Sequence, residues 1–176
     1  MSEHLRCSLL AIVLAACGTS PPGVGSGLDG GVTGTCPLYV VPSTTDLMSP
    51  AVSFKSDVMP IFNHSCGSTI CHGTTSSPQG GLFLGQESAM TADASTVYAN
   101  LVGKPSGELS GMAFVSADDP GNSYLMHKLD GDQCAYESAC TGGSCMHLMP
   151  SDGSEPLPVA TRDTVRRWIA QGAISN

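Results

Sequence analysis

Eight cysteines in 176 residues constrain this chain more than any other feature. That density is too high for an ordinary cytosolic protein, and it points to an oxidising compartment, to ligation of a metal or prosthetic group, or to both. The cysteines are also unevenly placed. Cys7 and Cys17 lie in the leader and Cys36 stands alone; Cys66 and Cys71 form a close pair, and Cys134, Cys140 and Cys145 form a cluster. Only 12% of the residues are charged, against about 25% in an average globular domain. With 21 glycines and 12 prolines, the chain is rich in turns and built of short elements. The formal net charge of −8 excludes a nucleic-acid groove, which needs clustered Lys and Arg, and argues equally against electrostatic docking on anionic lipid.

The leader sets the expected compartment. Residues 1–6 are polar with one Arg, and residues 7–16 read Cys-Ser-Leu-Leu-Ala-Ile-Val-Leu-Ala-Ala. This run is too short to span a bilayer, which takes about 20 helical residues, but has the length of a signal-peptide core. Its end, Leu14-Ala15-Ala16-Cys17, resembles a bacterial lipobox, which implies a lipid on Cys17 and membrane contact through that anchor alone. The competing reading is a plain secretory signal cleaved near Ala16. Gly18, in place of Asp, implies sorting to the outer membrane of the cell envelope, facing the periplasm or the cell surface. Residues 18–35 are too rich in Gly and Pro to bury a core and form a flexible tether with an r.m.s. span of roughly 20–25 Å. The expected organisation is therefore a signal peptide over 1–16, a lipidated cysteine and tether over 17–35, and one domain over 36–176.

Within that domain the elements are mostly helical. Between Val52 and Ser65, the residues Phe54, Val58, Ile61 and Phe62 fall at helical spacing, with Ser56 as N-cap and Pro60 near the first turn. Leu82-Phe83-Leu84 reads as a short extended piece. Asp93 caps a second helix over 94–102, burying Val97, Tyr98 and Leu101. Asp119-Pro120 opens a third, with Tyr124, Leu125, Met126 and Leu129 on its apolar side. The last helix runs over 158–171 and is closed by Gly172; Val165, Trp168 and Ile169 share one face, with Arg162, Arg166 and Arg167 mostly off it. No internal repeat or sustained β alternation is present. The expected fold is mainly α, with short helices and long loops.

The chemistry concentrates in His64-Ser65-Cys66-Gly67-Ser68-Thr69-Ile70-Cys71-His72-Gly73. This is a Cys-x4-Cys-His variant of the Cys-x-x-Cys-His haem c attachment motif. In that motif two thiols add across the two vinyl groups of haem, and the adjacent His becomes the proximal iron ligand. Met149, before Pro150 in a polar loop, supplies a second axial ligand. Met paired with His raises a cytochrome's potential and leaves no open position for substrate. His147 is the rival ligand, and Met146, His127 and Met126 are more distant candidates. A zinc site of His64, Cys66, Cys71 and His72 has the right ligand types, crowded into nine residues. A structural Cys66–Cys71 disulfide beside a surface His is the plainer alternative. His64 suits the end of a helix, where a partial positive charge meets the last carbonyls. Tyr98, Tyr124 and Leu125 read as core. Asp118, Asp119, Asp130 and Asp132 read as caps and solvated turns, with no pairing for acid–base work.

Several further pieces occur in a fixed order. They are Asp57-Val58-Met59-Pro60-Ile61-Phe62, Cys71-His72-Gly73, Gly80-Gly81-Leu82-Phe83-Leu84, Asp119-Pro120-Gly121-Asn122-Ser123-Tyr124-Leu125, Met149-Pro150 and Trp168-Ile169-Ala170-Gln171-Gly172-Ala173. Over residues 54–173 this order resembles the cytochrome c domains of planctomycete and myxobacterial exported proteins. The resemblance implies a class I-like cytochrome c fold, in which the first and last helices cross beside the haem and Phe62 faces Trp168. It implies one covalent haem c on Cys66 and Cys71, His72 proximal and Met149 distal. The chain would then be a lipid-anchored monohaem electron carrier, not an enzyme, exchanging single electrons with a redox protein partner. It departs from the family in its wider cysteine spacing and in a cysteine-bearing insertion before Met149. A haem-free surface lipoprotein, stapled by disulfides and keeping this fold for structure or partner binding, is the alternative. With Cys17 lipidated and Cys66 and Cys71 on haem, Cys36, Cys134, Cys140 and Cys145 remain for two disulfides in any of three connectivities. Their clustering favours at least one local bridge.

Overall fold

A computed structural model describes residues 36, 40–89, 91–151 and 155–176. The signal peptide, Cys17 and the whole tether, residues 1–35, lie outside the described residues. The first helical segment begins where Ser53 and Asp57 exchange hydrogen bonds. Ser53 Oγ accepts from the Ser56 N–H, and Asp57 Oδ2 accepts from the Ser53 N–H at 2.7 Å. This reciprocal cap moves the start three residues ahead of the expected Ser56 cap, because two orphan donors are satisfied at once. The first turn is π-helical over Phe54–Val58 and continues as α1, Met59–Cys66, with Pro60 in its first turn.

Helix α2 spans Ala94–Leu101, α3 Tyr124–Asp130 and α4 Val159–Ala170. Asp93 precedes α2 as expected, but its carboxylate accepts from the Gln86 N–H, bracing the preceding loop and not the helix end. Asp119 caps only a short 3-10 turn, Pro120–Asn122; α3 starts separately after Ser123. Among the described residues there are no strands, only isolated bridges between Val102 and Val115 and between Pro105 and Ala113. The fold is mainly helical, as expected.

The N- and C-terminal ends of the domain are tied together around Trp168. Phe54 stacks on Trp168 with ring centroids 4.9 Å apart, while Phe62 meets Phe54 edge-on at 6.5 Å. Phe54 therefore takes the stacking place that the family resemblance assigned to Phe62. Trp168 Nε1 donates to the Ile174 carbonyl, and the Phe54 and Lys55 N–H groups donate to Asn176. The Gln171 amide bonds the backbone of Leu47, Pro50 and Val52.

Two polar expectations are overturned. Arg162 and Arg166 of α4 are buried, and Asp130 is no solvated turn: its carboxylate pairs with both guanidiniums, and Arg166 also pairs with Asp163. Asp132 is likewise buried, against the His127 imidazole at 2.9 Å. The cause lies in α3, where all six residues from Tyr124 to Leu129 are buried. A helix enclosed on every side leaves its polar residues no water, so each must find a partner inside the protein.

Candidate functional site

Cys66 is the last residue of α1, and the chain returns to it within six residues. The His72 N–H donates to the Cys66 carbonyl at 3.2 Å, and the N–H groups of Cys71 and Gly73 both donate to the Ser68 carbonyl at 2.9 Å. A Cβ on Gly73 would lie 2.0 Å from the Gly67 carbonyl oxygen, so this loop closes only with glycine there. The two additional residues between the cysteines are thus taken up in a turn, and Cys71 stays next to His72 against the end of α1.

Residues 82–84 run beside this loop and orient the imidazole. The Leu84 N–H donates to the His72 carbonyl at 3.0 Å. The Leu82 carbonyl can only accept, so the 2.8 Å contact means that His72 Nδ1 donates, leaving the lone pair on Nε2. A fixed tautomer of this kind is what a metal-ligating imidazole requires. Burial holds the His72 pKa below the ordinary imidazole range, opposed in part by the hydrogen bond to the Leu82 carbonyl. The ring is therefore neutral at pH 7, the form that ligates.

Cys66, Cys71 and His72 border a cavity of about 640 Å³. That lies within the range of roughly 300–1,000 Å³ found for ligand and cofactor pockets. Leu82, Leu84, Phe114, Leu125 and Leu129 give it apolar walls, and Met146, His147, Met149 and Pro150 border it as well. The structure thus brings Cys66, Cys71, His72, Met149 and the rival His147 to one cavity. Met149 is half-buried and its N–H donates to the Lys128 carbonyl at 2.7 Å, while His147 is exposed. His127 and Met126 do not border the cavity: Met126 is in the main core, and both ring nitrogens of His127 are engaged, with Asp132 and with the Gly121 carbonyl. His64 is an exposed residue at the rim.

The cysteines divide into two groups. Cys36 pairs with Cys134 and Cys140 with Cys145, whereas the thiols of Cys66 and Cys71 are not bridged. Cys140–Cys145 is the expected local bridge, inside the insertion. Burial, with a smaller contribution from Cys71, pushes the Cys66 thiol up to about 12. Among the described residues no group of three or more His, Cys, Asp or Glu side chains is placed to hold a metal ion. The zinc reading of His64, Cys66, Cys71 and His72 therefore has no geometry behind it. The residues present do fit a haem: two thiols, an imidazole with its lone pair on Nε2 and a thioether share one apolar cavity.

One feature of the wall escaped sequence reading. Glu108 Oε2 accepts from Lys128 Nζ at 2.9 Å and from the Tyr124 hydroxyl at 2.7 Å, and Lys128 Nζ also donates to the Cys145 carbonyl at 2.7 Å. All three side chains border the cavity. Burial, then the Glu108 carboxylate, hold the Tyr124 phenol above its ordinary range. The available signal was a lysine set among the apolar residues of α3. Comparison with protein-family models, curated proteins and solved structures finds no match to this chain.

Proposed function

We propose that this chain is a lipid-anchored monohaem c-type cytochrome with a class I-like fold, carrying single electrons in the bacterial cell envelope. The observation that carries the reading is the meeting of two unbridged thiols, a tautomer-fixed imidazole and a thioether on one apolar cavity. In this reading Cys66 and Cys71 would hold a haem covalently through their sulfurs, and His72 Nε2 and the Met149 sulfur would be its iron ligands. Bound haem supplies a one-electron iron couple. The chain's own contribution is to present the His72 and Met149 side chains to one cavity and to exclude water with the leucine walls. With both side chains on the iron, the chain would act as a carrier and not as an enzyme. In this reading a lipid on Cys17 would hold the chain at a membrane, and its partner would be a redox protein and not nucleic acid.

The deciding measurement is a pyridine haemochrome spectrum of the chain exported from a host with cytochrome c maturation machinery. One c-type haem per chain is expected, absent in Cys66→Ala/Cys71→Ala. Met149→Ala should then change the sixth ligand and the visible spectrum, and His147→Ala should not; the reverse would exchange their roles. A folded, colourless protein would overturn the carrier reading in favour of the haem-free stapled lipoprotein.

A further inference from the structure

We infer that the Glu108–Lys128 ion pair is a built-in electrostatic tuner of the cavity, fixing the field at His72 and with it the reduction potential of the iron site; the second half of this inference rests on the function proposed above. The geometry is that of fixed charges. Lys128 Nζ is 2.9 Å from Glu108 Oε2, with the two side chains 7% and 25% exposed, and it has a second acceptor in the Cys145 carbonyl. The same carboxylate oxygen is held by the Tyr124 hydroxyl. The Glu108 backbone is pinned too: its N–H donates to Ser106 Oγ and its carbonyl accepts from the Thr141 N–H. Neither charge is free to swing out of the wall.

Position and burial single out this pair. His64, Glu87 and His147 also border the cavity but are exposed, where water and salt screen them. Charges in a buried wall act over longer range, because less solvent responds to them. Glu108 and Lys128 line the same cavity as His72. As a stabilising device the pair is a poor choice, since an apolar pair of similar volume is often no less stable. At the cavity its two charges nearly balance, so removing either member leaves the other uncompensated in the cavity wall.

The signs follow from the iron couple, whose oxidised form carries one more positive charge than its reduced form. Glu108→Gln removes a negative charge and leaves Lys128, so the midpoint potential should rise. Lys128→Met leaves Glu108, so the potential should fall. The double variant should lie between the two, near the unaltered protein. Should Lys128→Met not fold, Lys128→Gln removes the same charge and keeps a donor for the Cys145 carbonyl.

The test is redox titration of these variants as exported holoprotein, alongside a haem-free arm. In that arm, Cys71 is cyanylated in a Cys66→Ser background, and the nitrile stretch is compared with and without Glu108→Gln and Lys128→Met. Opposite shifts in both arms are expected. Opposite nitrile shifts in a protein that takes no haem would uphold the field at the cavity and sink the carrier reading alone. Shifts of the same sign in the two single variants, or no shift, would overturn the tuner and leave a merely structural pair, since loosening the wall admits water in either case.

Discussion

The wall that carries Cys66, Cys71 and His72 closes on itself through backbone hydrogen bonds between near neighbours in sequence. The wall that carries Lys128, Glu108 and Met149 is assembled from distant segments, with Glu108 and Lys128 alone 20 positions apart in the chain. Local closure fixes few residues per bond and needs no cross-link. Distant closure costs more chain entropy; here the Glu108–Lys128 pair ties that wall directly, and disulfides bridge Cys145, whose carbonyl Lys128 holds, and Cys134, six residues beyond Lys128 in the chain. The comparison shows a site half held by local backbone geometry and half by tertiary ties.

The largest effect should come from cutting those ties. Cys36–Cys134 spans 98 residues, and by loop-closure arithmetic its removal costs about 4–5 kcal/mol. Denaturant unfolding of Cys36→Ser/Cys134→Ser should show that loss, with amide exchange rising first in α3 and around Met149 and last at residues 67–73. Equal rises at both walls would break the distinction. The local wall has its own weak point. Gly73→Ala forces a backbone shift against Gly67 and should cost roughly 1–3 kcal/mol. Faster alkylation of Cys66 and Cys71 should accompany it, with no change in exchange at α3.

A smaller effect probes the locally closed wall by pH in the haem-free protein. Cys66 has a folded pKa of about 12, raised from 9.0, so above about pH 9 the unfolded chain loses a proton that the folded chain keeps. Stability should then fall as pH rises towards 12, by at most about 1.4 kcal/mol per pH unit. His72 acts at the other end. Its pKa is lowered on folding, so stability should also fall as pH drops through the ordinary imidazole range. Cys66→Ala should flatten the alkaline limb and leave the acid limb in place; an unchanged alkaline limb would refute the assignment.

Legibility followed the same division. Helical spacing around Phe54, the Asp93-led helix and the Trp168 helix were readable because each is a local pattern. So was the juxtaposition of Cys66, Cys71 and His72, which sequence proximity nearly guarantees. The stacking partner of Trp168 was not readable, because it depends on how segments from opposite ends of the domain pack together. Asp130, Asp132, Arg162 and Arg166 read as surface groups because isolated charges usually are; only the enclosure of α3 puts them inside. The cysteine connectivity was open for the same reason, since spacing limits the pairings without choosing among them.

By itself, the sequence determined a mainly helical, cysteine-rich domain and the residue types of its site, because helix periodicity and the Cys-x4-Cys-His run are short-range. The tertiary structure alone decided that Met149 shares a cavity with His72, that Cys36 meets Cys134, and that Glu108 and Lys128 pair in the wall. Those contacts join segments far apart in the chain. They form only where burial removes water and leaves each polar group a single satisfied arrangement, which no local pattern encodes.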